Sequence, residues 1–315
     1  MSYKIVASDL DGTLLNSRSK VSNENLLAIS ELTKKGVYFV PSTGRTFSEI
    51  PVELKNNPDI RYVIHSNGAV VFDKLTQKRI MNCISNADGR YILDVLASCD
   101  SHITIRQNGE CFVDTAMQTK QLWDYYNLCE AHRVVVRDYA AHLPEFEKFS
   151  SSADNVEVFS AFFHSYDEKI ACKKQLAQNT RFRVVEADEY NLEIINANAG
   201  KGNALYALAD MLGVNYADTI AIGDSDNDNS IVRASGLGLA VSNATNSLKA
   251  VADEIISSND EHAIDIQAHE LIPRLAQERG IDEDLKVHNA LQWAAEMNNI
   301  KASAEEIVLR EVVYQ

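Results

Sequence analysis

Ser8-Asp9-Leu10-Asp11-Gly12-Thr13 closes a short apolar, β-branched run that begins at residue 4. The run reads as a strand, and Gly12 reads as the turn that ends it. In open α/β sheets ligands bind beyond the carboxyl ends of the strands. Two carboxylates two residues apart on such a turn can both face that crevice. Close like charges are costly unless a cation joins them or one is protonated. The pair therefore predicts a divalent metal, or a division of labour between a nucleophile and an acid. Taken alone, the dipeptide could also be a surface Asp-Gly turn.

Working outward, residues 4–73 alternate strand and helix signals. Helical spacing covers residues 22–35 and stops at Gly36, a strand covers 37–42, and a helix interrupted by Pro51 is expected over 45–56. A strand at 62–66 precedes Asn67-Gly68 and a return strand to Asp73. Strands separated by helices predict a parallel sheet with both faces covered. The middle differs. Helical stretches at 87–98, 120–129 and 167–178 mix with strands at 103–106, 111–113, 156–163, 182–186 and 192–195. Hairpins among helices predict an α+β domain with an antiparallel sheet. Alternation resumes with helices at 201–212, 227–234 and 245–252 and strands at 219–223 and 237–241. The expected fold is α/β, a parallel-sheet domain over 1–81 and 197–266. An α+β domain is inserted at 82–196, and a helical extension follows at 267–315.

The chain has 315 residues, ample for two domains, with 45% hydrophobic and 24% charged residues. These ordinary globular values exclude disordered, collagen-like and coiled-coil classes. Asp and Glu number 45 against 30 Lys and Arg, a net −15, which opposes binding to nucleic acid or to an anionic membrane surface. No apolar run reaches spanning length and no targeting signal is apparent. The five cysteines include no CxxC pair, so they are expected as reduced, mostly buried thiols in a cytoplasmic protein.

Three further motifs carry chemistry. Gly223-Asp224-Ser225-Asp226-Asn227-Asp228-Asn229 follows the apolar run Thr219-Ile220-Ala221-Ile222. Its hard oxygen donors suit magnesium, or else cap a helix. An EF-hand loop is rejected, because Asn229 stands where Gly is needed and Ser235 where Glu is needed. Ser42-Thr43-Gly44-Arg45 ends the second strand, where a hydroxyl and free amides can hold a phosphate oxygen. Ala199-Gly200-Lys201-Gly202 opens a helix, but Ile195 and Gly202 exclude a nucleotide P-loop. Gly236-Leu237-Gly238 lacks the third glycine of a dinucleotide fingerprint. A lysine at a helix start conflicts with the dipole, and an anion between them would remove the conflict. Placed together, the four motifs supply a nucleophile, a proton shuttle, a cation and oxygen-holding donors, the set that phosphoryl transfer needs.

Asp9-Leu10-Asp11-Gly12-Thr13, Asn67-Gly68, Thr43-Gly44-Arg45, Lys201 and Gly223-Asp224 with Asn227-Asp228 together resemble the haloacid dehalogenase (HAD) superfamily, in its Cof-like hydrolase branch. The likeness spans about residues 3–265. It implies a doubly wound core with an α+β cap. Asp9 would be the nucleophile that forms an aspartyl phosphate, and Asp11 the general acid and then base. Thr43, Gly44, Lys201 and Asn227 would hold the phosphoryl group. Mg2+ would be held by Asp9, the Asp11 carbonyl and Asp224, with Asp228 in support.

The resemblance implies a magnesium-dependent phosphatase acting on monoesters of small metabolites such as sugar phosphates. A sugar phosphomutase and a non-catalytic regulatory protein on the same core are the alternatives. The expected partner is a small phosphorylated metabolite, with no nucleic acid and no membrane, for a monomer or homodimer. In the cap, His102, Arg106 and Tyr190 are each read as structural or solvated, with substrate contact as the alternative. Beyond residue 264, Ile264, Ala268, Leu271, Ile272 and Leu275, and then Val287, Ala290, Leu291, Ala294 and Met297, form apolar stripes expected to pack on the core or on a second copy.

Overall fold

A computed structural model describes residues 3–261. The expected helical extension at 267–315 lies outside the described residues. In chain order the elements are β1 (Ile5–Ser8), α1 (Asn23–Lys34), β2 (Tyr38–Pro41), α2 (Val52–Lys55), β3 (Tyr62–His65), β4 (Val70–Asp73) and β5 (Arg79–Met81). Then come α3 (Asn86–Ala97), β6 (Ser101–Gln107), β7 (Glu110–Asp114), α4 (Lys120–Tyr125), α5 (Glu130–Val134), β8 (Ala141–Leu143), α6 (Phe146–Ser152), β9 (Val156–Phe163) and α7 (Tyr166–Leu176). They end with β10 (Phe182–Asp188), β11 (Asn191–Asn196), α8 (Lys201–Leu212), β12 (Thr219–Gly223), α9 (Asn229–Ala234), β13 (Leu237–Val241), α10 (Asn246–Lys249) and β14 (Glu254–Ile256). The chain divides into two compact units, residues 1–39 with 214–315, and residues 40–213.

The first unit is built on a sheet of order β14-β13-β12-β1-β2. β1 pairs with β12, β12 with β13 and β13 with β14, all in parallel. Every residue of β1, β12 and β13 is buried. Continuous apolar strands of this kind belong to a parallel sheet covered on both faces, as expected from the sequence. From β1 the chain moves first to β2 on one side and later to β12 on the other. The order therefore reverses between β1 and β12, the place where such sheets bind ligands.

The second unit holds a three-stranded sheet, β3-β4-β5, and a six-stranded sheet of order β10-β11-β9-β6-β7-β8. The larger sheet is antiparallel except for the β7–β8 pair. Side chains alternate across it with period two. One face carries Ile105, Phe159, Ala161, Phe163, Leu192 and Ile194, packed against Ile92, Val95 and Leu96 of α3 and Cys172 and Leu176 of α7. The other face is polar although buried. His102 and Asn191 both stand opposite Phe162, and Thr104 and Glu193 both stand opposite Ser160. Burial pushes the pKa of His102 down to about 4 and, with help from the Arg79 charge, that of His65 down to about 3. Burial also pushes His132 well below the ordinary histidine value, with the Arg106 and His102 charges adding to the effect.

Several elements depart from expectation. Residues 45–56 are not one helix, because only α2 is helical there. Pro51 sits at its N-cap with ψ 138°, and Glu49 Oε2 accepts from the Thr46 amide, so the preceding segment turns. Residues 120–129 break after α4, where Asn127 takes a left-handed φ of 54°. The helix expected at 227–234 starts at Asn229, and the one expected at 245–252 is the single turn of α10. Strands β5, β8 and β14, helix α6 and the π-helix over Val135–Tyr139 had no clear sequence signal. All five cysteines are free thiols; Cys111 and Cys172 are buried and Cys83, Cys99 and Cys129 half-buried.

Candidate functional site

In the first unit, β1 and β12 each end in an acidic turn. Pairing runs one residue past β1, because the Asp9 amide donates to the Ile222 carbonyl (2.9 Å). The chain then curls back, with the amides of Leu14 and Leu15 donating to the carbonyls of Asp9 and Leu10. Gly12 makes this curl possible. Its φ is +78°, and a Cβ there would lie 2.6 Å from Asp224 Oδ2. The Thr13 hydroxyl donates to Asp224 Oδ1 (3.2 Å), and the Asp224 carbonyl accepts from the Thr245 amide (2.8 Å). Asp228 Oδ2 accepts from the amides of Asp224 (3.1 Å) and Ser225 (3.2 Å), which pins its carboxylate under the turn.

These contacts bring Asp9, Asp224 and Asp228 together, each offering a carboxylate oxygen within 4.8 Å of the others. Asp9 and Asp228 are buried and Asp224 is half-buried. Negative groups this close in a poorly solvated place repel strongly unless a positive charge or a proton intervenes. The donor set is hard oxygen throughout, which fits Mg2+. The Asp11 side chain is exposed and is not one of the three. Asn227 is also exposed, and its Oδ1 accepts from the Ser225 hydroxyl. Asp226 is turned to the start of α10, where it accepts from the hydroxyls of Thr245 and Ser247.

In the second unit a different group assembles. Buried Thr43 follows β2, and its amide donates to the Ile64 carbonyl (2.9 Å). Its carbonyl accepts from the Asn67 amide (3.0 Å). Thr43 Oγ1 accepts from the Arg45 amide (3.1 Å), which directs the hydroxyl hydrogen elsewhere and leaves it to serve as a donor. Arg45 itself spans the turn, donating from Nη1 to the Glu49 carbonyl (2.9 Å), a structural use of that guanidinium. Gly44 lies against the Asn67 side chain: a Cβ there would be 2.9 Å from Asn67 Oδ1. Gly68, at φ +81°, lets the start of α8 approach, since a Cβ would lie 2.3 Å from the Gly200 carbonyl carbon. Lys201, in the first turn of α8, is buried. Thr43, Gly44, Asn67, Gly68 and the backbone of Lys201 thus form one neighbourhood.

Three carboxylates of the second unit, Glu49, Glu157 and Glu193, escaped sequence reasoning, and Arg106 was singled out without its partners. Glu193 Oε2 accepts from Asn67 Nδ2 (2.6 Å), and its Oε1 accepts from Arg106 Nη1 (2.8 Å). Arg106 Nε also lies 3.4 Å from Glu49 Oε1. Burial opposes the Arg106 charge, but the two carboxylates outweigh it and raise its pKa. Arg106 is thereby a buried ion-pair member in this structure, and His102 is buried on the polar face of the six-stranded sheet. Tyr190 is half-buried, and its carbonyl accepts from the Phe163 amide. Glu157 Oε2 accepts from the Ser66 hydroxyl (2.5 Å) and its Oε1 from the Gly109 amide (2.7 Å). Burial raises the Glu157 pKa against those bonds. The available cue was a charged residue inside an otherwise apolar strand, at Arg106, Glu157 and Glu193.

Comparisons with known proteins agree with these features. The family model described as haloacid dehalogenase-like hydrolase matches residues 6–266. A second family model, that of the transposon-encoded protein TnpV, matches residues 253–313. The chain is 30% identical to phosphatase YwpJ of Bacillus subtilis over 283 residues, covering 83% of this chain and 97% of that protein. It is 28% identical to the B. subtilis 5-amino-6-(5-phospho-D-ribitylamino)uracil phosphatase YwtE, covering 83% and 95%. A solved haloacid dehalogenase-like hydrolase from B. subtilis superposes with a TM-score of 0.71 at 27% identity, covering 84% of this chain and 98% of the other. One from Bacteroides thetaiotaomicron shares the fold with a TM-score of 0.73 at 21% identity, covering 86% and 100%. Among the described residues no helix is long and apolar enough to cross a membrane. The chain belongs to the haloacid dehalogenase-like hydrolases, in their Cof-like branch, and is a hydrolase of phosphatase type.

Proposed function

We propose that the protein is a magnesium-dependent phosphatase that hydrolyses phosphate monoesters of small metabolites through an aspartyl-phosphate intermediate. The observation that carries this reading is the meeting of Asp9, Asp224 and Asp228 at the ends of two adjacent parallel strands. Mg2+ held by Asp9, Asp224 and the Asp11 carbonyl, with Asp228 in support, would neutralise charge on the phosphoryl oxygens. Asp9 attacks phosphorus through a carboxylate oxygen as the ester P–O bond breaks. Asp11, protonated, gives its proton to the departing oxygen. As a carboxylate it then takes a proton from water, which attacks the aspartyl phosphate and releases inorganic phosphate, leaving Asp9 and protonated Asp11. Thr43 donates its hydroxyl hydrogen to a phosphoryl oxygen and Lys201 supplies a positive charge, with Gly44 allowing close approach and Asn227 touching the phosphoryl group.

We assign residues 1–81 and 197–266 to the catalytic core and 82–196 to a cap that selects the substrate. The substrate class is a small, hydroxyl-rich phosphate ester, supported by the phosphoribityl compound in the name of one relative. The protein is read as a cytoplasmic monomer or homodimer that binds neither nucleic acid nor membrane, in keeping with its net charge of −15.

Phosphate release from a panel of metabolite monoesters, with magnesium and with excess chelator, tests the reading. Asp9→Asn should lower turnover at least about a thousandfold while the protein stays folded, because an amide oxygen is a poor nucleophile. A tenth of wild-type turnover surviving in that variant, or full turnover in chelator, would defeat it.

A further inference from the structure

Ser66 and Asn67 adopt left-handed φ values of 52° and 54°, and neither is glycine. Two consecutive residues of this kind are strained, at about 1–2 kcal/mol each, and persist only where their surroundings hold them. Here each side chain is bonded to a different buried carboxylate of the six-stranded sheet, Ser66 to Glu157 and Asn67 to Glu193. A carboxylate can only accept, so Asn67 must present its NH2 to Glu193 and turn Oδ1 the other way. That oxygen is buried without a partner and lies against Gly44. The Asn67 amide in turn holds the Thr43 carbonyl.

We infer that Glu193 is a positioning residue for phosphoryl binding, acting through Asn67 on the Thr43–Gly44 turn, with Arg106 bonded to the other Glu193 oxygen. This rests on the proposed role of Thr43 in holding the phosphoryl group. The chain of contacts is continuous and lies within one compact unit: Arg106 to Glu193, Glu193 to Asn67, and Asn67 to both Thr43 and Gly44. Without the Glu193 acceptor, the Asn67 side chain loses its hydrogen bond and the left-handed backbone at Asn67 loses a support. The backbone amide of Asn67 then no longer holds the Thr43 carbonyl in its set place, and the Thr43 hydroxyl shifts with its residue. A residue that merely stabilises the fold would alter the melting temperature and not the affinity of the turn for phosphate.

The test is competitive inhibition by inorganic phosphate, measured with KM, kcat and melting temperature in full-length protein. Glu193→Ala should raise the phosphate inhibition constant and KM at least about tenfold. Glu193→Gln keeps one acceptor oxygen for two donors, Asn67 Nδ2 and Arg106 Nη1, and should fall between wild type and Glu193→Ala. Asn67→Ala should weaken phosphate to a similar extent, and Glu193→Ala should then add less than about twofold in the Asn67→Ala background, as expected for residues acting in series. Multiplicative effects in the double variant, or an unchanged inhibition constant in Glu193→Ala, would overturn the relay while wild-type turnover stands. Wild-type protein that releases phosphate from no ester would instead overturn the functional reading and the relay with it.

Discussion

The two compact units place their polar groups by different physics. In the first, Asp9 and Asp224 follow the ends of parallel strands that pair from Ile5 with Thr219 to Ser8 with Ile222, and backbone hydrogen bonds finish the work. In the second, the Thr43–Gly44 turn and the Ser66–Gly68 turn are held by buried charges from distant strands. Glu193 and Asn67 are 126 residues apart in sequence, and Glu157 and Ser66 are 91 apart. A cluster set by strand ends needs only short motifs. A turn set by buried ion pairs needs a whole sheet in register.

Two glycines separate the units experimentally. Gly68→Ala should have the largest effect, since its Cβ would meet backbone at 2.3 Å and its φ of +81° disfavours any side chain. Destabilisation of about 2–4 kcal/mol follows from the left-handed φ and the overlap together. A turnover loss of about a hundredfold is expected from displaced groups at α8. Urea titration and steady-state kinetics check both, and a variant of wild-type stability and rate would show that the close approach at Gly200 does not matter. Gly12→Ala should push on the Asp224 carboxylate instead. We expect the magnesium concentration for half-maximal rate to rise about 10-fold, with the phosphate inhibition constant unchanged. An unchanged magnesium requirement would remove Gly12 from the metal argument.

A third difference between the units is expected in acid. His65, His102 and His132, all in the second unit, are buried and neutral, with pKa values below the ordinary one. The unfolded chain binds protons at these positions below about pH 6.5 while the folded chain does not, so their contribution is complete above that pH. It is lost as pH falls toward the folded values of about 3 for His65 and about 4 for His102. Each histidine should add about 1.4 kcal/mol per pH unit to the slope of stability near pH 5. Among described residues the first unit has no histidine, so amide hydrogen exchange should show β6 and β9 opening before β1 and β12 on acidification. Simultaneous opening at all pH values would contradict the difference drawn between the units.

What could be read from sequence follows the same division. The alternation of apolar strands and capped helices predicts the parallel sheet, and Asp9, Asp224 and Asp228 stand out because their turns interrupt apolar runs. Thr43 and Lys201 were also visible through local turn and helix-start chemistry. Glu49 and Arg106 were not assigned as partners, because a charge inside a strand does not reveal which charge it meets across the fold. The apolar spacing of residues 45–50 is compatible with a helix, but the bond from Thr46 to Glu49 and the N-cap at Pro51 make that segment a turn.

The division at Phe39 and Val214 also governs the order of assembly. The second unit is one uninterrupted segment, whereas β1 must wait for β12, more than two hundred residues later. At about 5–20 residues per second of synthesis, that delay is on the order of 10–40 s. During it β1 carries an unpaired apolar edge, and closing so long a loop is paid in chain entropy before any pairing repays it. The segment from 40 to 213 is therefore positioned to fold first and to shorten that loop. On this account the cluster of Asp9, Asp224 and Asp228 forms only after the second unit has folded. Pulse-labelled exchange during refolding would contradict it if β1 and β12 gained protection ahead of β6, β9 and β11.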